Sequence, residues 1–173
     1  MALDPSQLDG LRRNSGLAVD REGCVWHQGE PIAHPRLHAL FQAGLDVDDR
    51  GEAIVRVGAQ WAYVACERTP FVVTRARVDA ARQRLHLTLN TGEAFDLKPA
   101  ETFLRLEGDC DLYVRIHDGH HEARFGRTAW GSVADGFDVG PLGGVVLAVG
   151  KRRVPVTGAR GGAEPVGWQA GVA

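Results

Sequence analysis

The sequence predicts an α+β protein made of two small subdomains of antiparallel sheet, each carrying one helix. Three observations carry that reading. Runs of alternating apolar and polar residues fill most of the chain from Ala53 to Ile116. Tight-turn residues such as Asn90-Thr91-Gly92 join neighbouring runs, as hairpins require. Helical periodicity interrupts them only near Pro35 and near Trp130. The expected boundaries are 15–66 for an N-terminal strand–helix–strand subdomain and 67–156 for a C-terminal antiparallel sheet with a helix. Residues 157–173, rich in glycine and alanine, are expected to form a flexible tail that cannot pack a core.

Residues 1–14 read as a polar lead-in. Leu17–Asp20 and Cys24–His27 are strands joined by a turn at Arg21-Glu22-Gly23. A Gly-Glu-Pro turn then leads to a helix opened by Pro35, whose absent N–H has no partner in a first turn anyway. Leu37, Leu40, Phe41 and Leu45 form its apolar stripe, with Leu40 and Phe41 expected to pack it onto the hairpin. Strands follow at Ala53–Val57, Gln60–Cys66 and Pro70–Val78. In "RLHLTLN", Leu85, Leu87 and Leu89 share one face. In "DLYVRIH", Leu112, Val114 and Ile116 share one face, and Tyr113, Arg115 and His117 the other. The period then switches. Trp130, Val133, Ala134 and Phe137 mark the second helix, with Gly136 near its end. A last strand, Gly144–Gly150, precedes a basic Lys151-Arg152-Arg153.

The formal net charge of −2 gives no electrostatic reason to expect a nucleic-acid binder. No stretch approaches the roughly 20 apolar residues of a membrane span. The N-terminal residues lack the basic start and apolar core of a secretory signal, so a cytoplasmic protein is expected. Cys24, Cys66 and Cys110 lack zinc-type spacing and read as buried, reduced thiols. His34 and His38 stand i, i+4, but without the glutamate of a zinc-protease helix. His117, His120, His121 and Glu122 fall in a turn, where solvated side chains are common. There is no G-x-S-x-G, and the glycine-rich stretches lack the lysine of a phosphate-binding loop. Neither a catalytic nucleophile, a metal nor a cofactor is expected.

The arginines carry more. Arg68 lies where a strand ends before Pro70, Arg115 projects from the polar side of its strand, and Arg124 and Arg127 stand i, i+3. Guanidinium forks are natural partners of phosphate and carboxylate, whether on a ligand or on the protein's own acids. Trp26 and Tyr113 could supply an aromatic wall.

The ordered series "REGCVWHQGEPI", "RLHALFQAGL", "ERTPFVV", "LNTGE", "DLYVRI" and "HEARFGRTAW", across residues 15–150, resembles an uncharacterised bacterial family, domain of unknown function 1285. The resemblance implies a duplicated α+β fold whose C-terminal half is like a pleckstrin-homology domain. It also implies a ligand cleft between the halves, a nucleotide-like ligand and a signalling role. Trp26, His27, Arg68, Tyr113, Arg115, Arg124 and Arg127 fall in the matching segments and are the ligand-binding candidates. The chain departs from the family pattern at Arg68, where an acid is usual, and at Leu112, where a proline is usual. The expectation is a binding or regulatory module for a small anionic ligand, with a protein partner as a further option, no nucleic acid and no membrane span. The alternatives are an enzyme using histidine or carboxylate groups in the same cleft, and a protein-interaction module.

Overall fold

A computed structural model describes residues 4–108 and 111–158. The N-terminal part holds α1 (Pro5–Arg13), β1 (Leu17–Val19), β2 (Val25–His27), β3 (Glu30–Pro31), α2 (Pro35–Ala43), β4 (Leu45–Val47), β5 (Ala53–Val57), β6 (Gln60–Tyr63) and β7 (Ala65–Cys66). Its strands form two small sheets, ordered β3-β2-β1-β7 and β4-β5-β6. The C-terminal part holds β8 (Val72–Asp79), β9 (Arg84–Leu89), β10 (Ala94–Leu97), β11 (Leu104–Glu107), β12 (Asp111–Ile116) and β13 (His121–Phe125). It continues through α3 (Arg127–Val133), β14 (Phe137–Val139), β15 (Val145–Val149) and β16 (Arg152–Thr157). These nine strands make one sheet, ordered β10-β9-β8-β13-β12-β11-β16-β15-β14.

The alternating segments become strands as their pattern demands. Leu85, Leu87 and Leu89 of β9, and Leu112, Val114 and Ile116 of β12, all point into one core with Phe71, Phe125 and Leu147. Helix α3 lies across β8, where the Ser132 hydroxyl donates to the Ala76 carbonyl at 2.8 Å. A second, smaller core gathers Val19, Val25, Leu45, Val55 and Val64.

Several expectations need correction. The strand at Gly144–Gly150 is not the last, since β16 follows it and pairs with β11, and Phe137 belongs to β14 rather than to the second helix. The lead-in contains α1, whose Gln7 side chain accepts a hydrogen bond from the Asp4 N–H at 3.2 Å. This helix has few apolar residues; of Leu8 and Leu11, Leu11 is 61% exposed. It is held by Arg12 stacked 4.0 Å from the Trp61 ring, Arg13 at 4.1 Å from the Tyr63 ring, and Arg13 forked on Glu52. The N-terminal part therefore carries two helices and two sheets. Helix α2 buries no residue fully, and Leu37 and Leu40 are exposed. Phe41 alone of that stripe's helical residues packs on the small core, while Leu45 is buried from β4. Polar bonds hold α2 in place: Gln42 Nε2 donates to the Gly23 carbonyl at 2.8 Å, and His38 Nε2 accepts from the Val25 N–H at 3.2 Å.

The large sheet is mixed, because β8 pairs with β13, and β11 with β16, in parallel. Neither connection is a simple crossover helix; antiparallel strands intervene in the chain. Cys24 is exposed and Cys66 half-buried, contrary to the expectation of buried thiols. Cys110 and the tail beyond Gly158 lie outside the described residues.

The large sheet curls. Gly150, at φ +63°, packs so closely on the β8–β9 turn that a Cβ there would sit 2.4 Å from the Ala80 carbonyl oxygen. The sheet nonetheless ends in two edges, β10 and β14, so among the described residues it is not a closed barrel. No helix among them is long and apolar enough to cross a membrane.

The turn at Arg21-Glu22-Gly23 ties the two parts together. Gly23, at φ +82°, lies against Asn90, and a Cβ there would meet Asn90 Cβ at 2.8 Å. Asn90 is buried; it accepts from the Val72 N–H at 3.0 Å and donates to the Pro70 carbonyl at 3.0 Å. Glu22 Oε2 accepts from the Arg127 N–H at 3.1 Å.

Candidate functional site

Between β7 and β8, the segment Glu67-Arg68-Thr69 crosses from the small sheets to the large one. Thr69 fixes its course: its hydroxyl donates to the Glu122 carbonyl at 2.6 Å and accepts from the Phe71 N–H at 3.2 Å. Two hollows border this segment. The larger, about 830 Å³, is lined by Ser15, Tyr63, Cys66, Arg68, His120 and His121, among others. The smaller, about 170 Å³, is lined by Asp20, Arg21, Glu67, Arg68, Tyr113 and Arg124, with Val19 and Thr69. Both draw residues from each part of the chain.

Charge is concentrated here and largely paired. Arg21 forks Glu67 at 2.5 and 2.8 Å and reaches Asp111 at 3.1 Å. Arg105 forks Glu122 at 3.1 and 2.8 Å and reaches Glu107 at 3.0 Å. Arg68 meets Glu107 at 2.5 Å. The Tyr113 ring lies beneath two of these cations, 4.4 Å from Arg105 and 5.5 Å from Arg68. The hydrogen bonds from Arg21 hold the Glu67 carboxyl below its ordinary range, and those from Arg105 do the same for Glu107. Burial pushes the Tyr113 hydroxyl up.

Arg124 is different. It is 7% exposed, and its guanidinium approaches Glu67 at 3.9 Å and Asp111 at 3.8 Å without a hydrogen bond to either. Its position is set by the parallel junction, where its own N–H donates to the Phe71 carbonyl at 3.0 Å.

The structure thus brings three of the sequence candidates, Arg68, Tyr113 and Arg124, to one hollow. Trp26 stands one step behind it, donating from Nε1 to Asp20 Oδ2 at 2.8 Å, so it positions a lining carboxylate. His27 lies at the exposed end of β2, and Arg127 is exposed at the start of α3; neither lines either hollow. Arg115 is placed elsewhere. It lines a separate pocket of about 240 Å³ beside Phe103 and Pro155, with its guanidinium 5.8 Å from the Phe103 ring. Sequence reasoning missed Arg21, Arg105, Glu67 and Asp111. The only local signal for them was acid beside base in Glu67-Arg68; the rest meet through pairings of strands distant in sequence.

Metal and nucleophile chemistry gain no support from the placement. His34, the cap of α2, accepts at Nδ1 from the Leu37 N–H at 3.4 Å, so it and His38 both serve the backbone. Among the described residues, no three His, Cys, Asp or Glu side chains are disposed to hold a metal. Burial pushes the Cys66 thiol up, away from the thiolate. Burial, with His117 beside it, holds His121 below the ordinary histidine range.

These features define an α+β protein with a charged cleft between two small sheets and one large curled sheet. Two solved structures share the fold. A DUF1285 family protein from Silicibacter pomeroyi superposes with a TM-score of 0.63 at 19% identity, over 81% of this chain and 78% of that one. A DUF1285 family protein from Shewanella baltica gives a TM-score of 0.51 at 17% identity, over 72% of this chain and 94% of that one. The chain has the DUF1285 fold, as its ordered motifs implied. No family model matches the sequence, and no curated protein matches it.

Proposed function

We propose that the chain is a binding or regulatory module, rather than an enzyme, that takes a small anionic ligand of nucleotide size in the cleft between its two parts. The observation that carries this reading is the hollow of about 830 Å³ bordered by residues of both parts. That volume falls within the range of about 300–1,000 Å³ usual for small-molecule sites. Of the two arginines that line this hollow, Arg13 is forked on Glu52, and Arg68 is the one bordering both hollows, although it must share itself with Glu107. A ligand spanning both parts would favour one arrangement of them, which is what a regulatory role requires. The pleckstrin-homology-like reading of the C-terminal part has its support in the curl of the sheet and in α3 lying across it.

The test is calorimetric titration with nucleotides and small organic acids, alongside Arg68→Ala. Binding tighter than millimolar, weakened roughly tenfold or more in the variant, is expected from loss of one charge-assisted contact. Absence of binding across the panel would overturn the reading in favour of a protein-interaction role.

A further inference from the structure

We infer that the smaller hollow is a carboxylate subsite, with the Arg124 guanidinium as its recognition element. The inference rests on the anionic-ligand reading above and narrows it. Its starting point is that Arg124 is nine-tenths buried, faces a hollow of about 170 Å³, and makes no side-chain hydrogen bond among the described residues. A guanidinium carries five donors and cannot shed its proton. Its donors are not sealed inside the protein, since among the described residues the buried side-chain polar atom without a partner is His86 Nε2; those of Arg124 open onto the hollow, where they can meet an acceptor.

The neighbouring carboxylates do not supply it. Glu67 and Asp111 are both held by Arg21, and stop 3.8–3.9 Å from Arg124. For either to close on Arg124, it would have to loosen its grip on Arg21. The donors of Arg124 therefore remain turned to whatever enters the hollow.

Charge selects the entrant. In and around the hollow, the guanidiniums of Arg21, Arg68, Arg105 and Arg124 face five carboxylates once the two held by Arg105 and the Trp26-bound Asp20 are included. The cluster is thus slightly negative before any ligand arrives. That charge opposes any anion, but a phosphate dianion about twice as strongly as a carboxylate, so entry depends on the short-range fork of Arg124 and favours the smaller charge. A carboxylate brings one charge and two coplanar oxygens, the geometry that a guanidinium fork matches. Val19 and the Tyr113 ring also line the hollow, and these apolar surfaces suit a short hydrocarbon attached to the carboxylate. Because Glu67, Arg68 and Thr69 border both hollows, the carboxylate can belong to a larger molecule whose body occupies the larger one.

The experiment follows the arginine Nε–Hε resonances of the full chain during titration with propionate and, separately, inorganic phosphate, at constant ionic strength. The expected result is a saturable shift of the Arg124 resonance with propionate, and none with phosphate. Arg124→Gln should weaken propionate binding roughly ten- to a hundred-fold, while Arg115→Gln, in the separate pocket, should leave it unchanged. The wild-type titration needs no variant, so it decides the matter even if Arg124→Gln fails to fold. Phosphate saturating the Arg124 resonance, or propionate leaving it unmoved, overturns the inference; in the latter case water occupies the hollow. Nucleotide or organic-acid binding in the calorimetric panel with no propionate effect would remove the subsite alone. Silence in both experiments removes the ligand-binding reading as well.

Discussion

The two parts of the molecule are held together by different means. Among the described residues, the large sheet packs over eighteen buried residues that include Phe71, Leu85, Leu112 and Leu147. The small sheets share five, none larger than leucine. Hydrophobic burial scales with apolar area, so most of the stabilisation belongs to the C-terminal part. The N-terminal part compensates with polar fastenings: Asn90 behind Gly23, Arg21 on Glu67 and Asp111, Glu22 on the start of α3, and the side chains of α2 on the Gly23–Val25 backbone. The lesson is that the cleft sits at the border between a strong unit and a weak one. Binding segments are commonly drawn from the low-stability end of a fold.

Four measurements break or sharpen that comparison. Leu112→Ala removes a fully buried side chain from the large core and should cost about 2–5 kcal/mol of global stability in urea unfolding, with every probe moving together. A loss confined to one part would show that the parts unfold independently. Asn90→Ala leaves the Val72 N–H and the Pro70 carbonyl without their partner, at a cost of about 1–3 kcal/mol. Amide exchange should accelerate more in β1 and β2 than in β12; equal acceleration would mean that the N-terminal part does not open ahead of the large sheet.

Phe41→Ala, truncating a half-buried ring, should cost about 1–2 kcal/mol, below the figure for full burial. Leu40→Ala, at a residue 47% exposed, should change stability by no more than about 0.5 kcal/mol. Similar losses for both would restore the broad apolar stripe that the sequence suggested.

The smallest effect is a pH dependence. His121 has its folded pKa depressed by burial, so its unfolded form binds the proton more readily. Stability is therefore full above the ordinary histidine value near 6.5 and declines as pH falls through the lower folded value. Glu67 and Glu107 are also depressed, and add a second decline below the ordinary glutamate value near 4.5. His121→Asn should flatten the first decline and leave the second. A first decline unchanged in that variant would assign it elsewhere.

The legible parts of the fold are those governed by local period. The strand pattern of β9, the face of β12 and the Gly92 turn at φ +90° follow from alternation and turn chemistry. Helix α1 escaped because cations on aromatic rings hold it, and such contacts leave no helical stripe. The parallel pairings escaped because nothing near Val72 announces Arg124 as its neighbour. The site was legible to the same degree. Arg68, Tyr113 and Arg124 were nameable from their segments, whereas Arg115 was grouped with them although it faces a different pocket. The carboxylates that answer these arginines become visible only once the sheet order is known.

The parallel junctions have a consequence in time. Val72 in β8 takes Arg124 in β13 as its neighbour, and Leu104 in β11 takes Val156 in β16. Pairings so distant along the chain are slow to form, because a long loop must close before they are rewarded. A chain leaving the ribosome presents its hairpin turn at Gly23 long before Asn90 exists to receive it, and its β8 edge long before β13 can cover it. Local hairpins such as β8–β9 can form as they emerge, but the sheet centre must wait, open along β8, until the strands beyond Glu101 have been made.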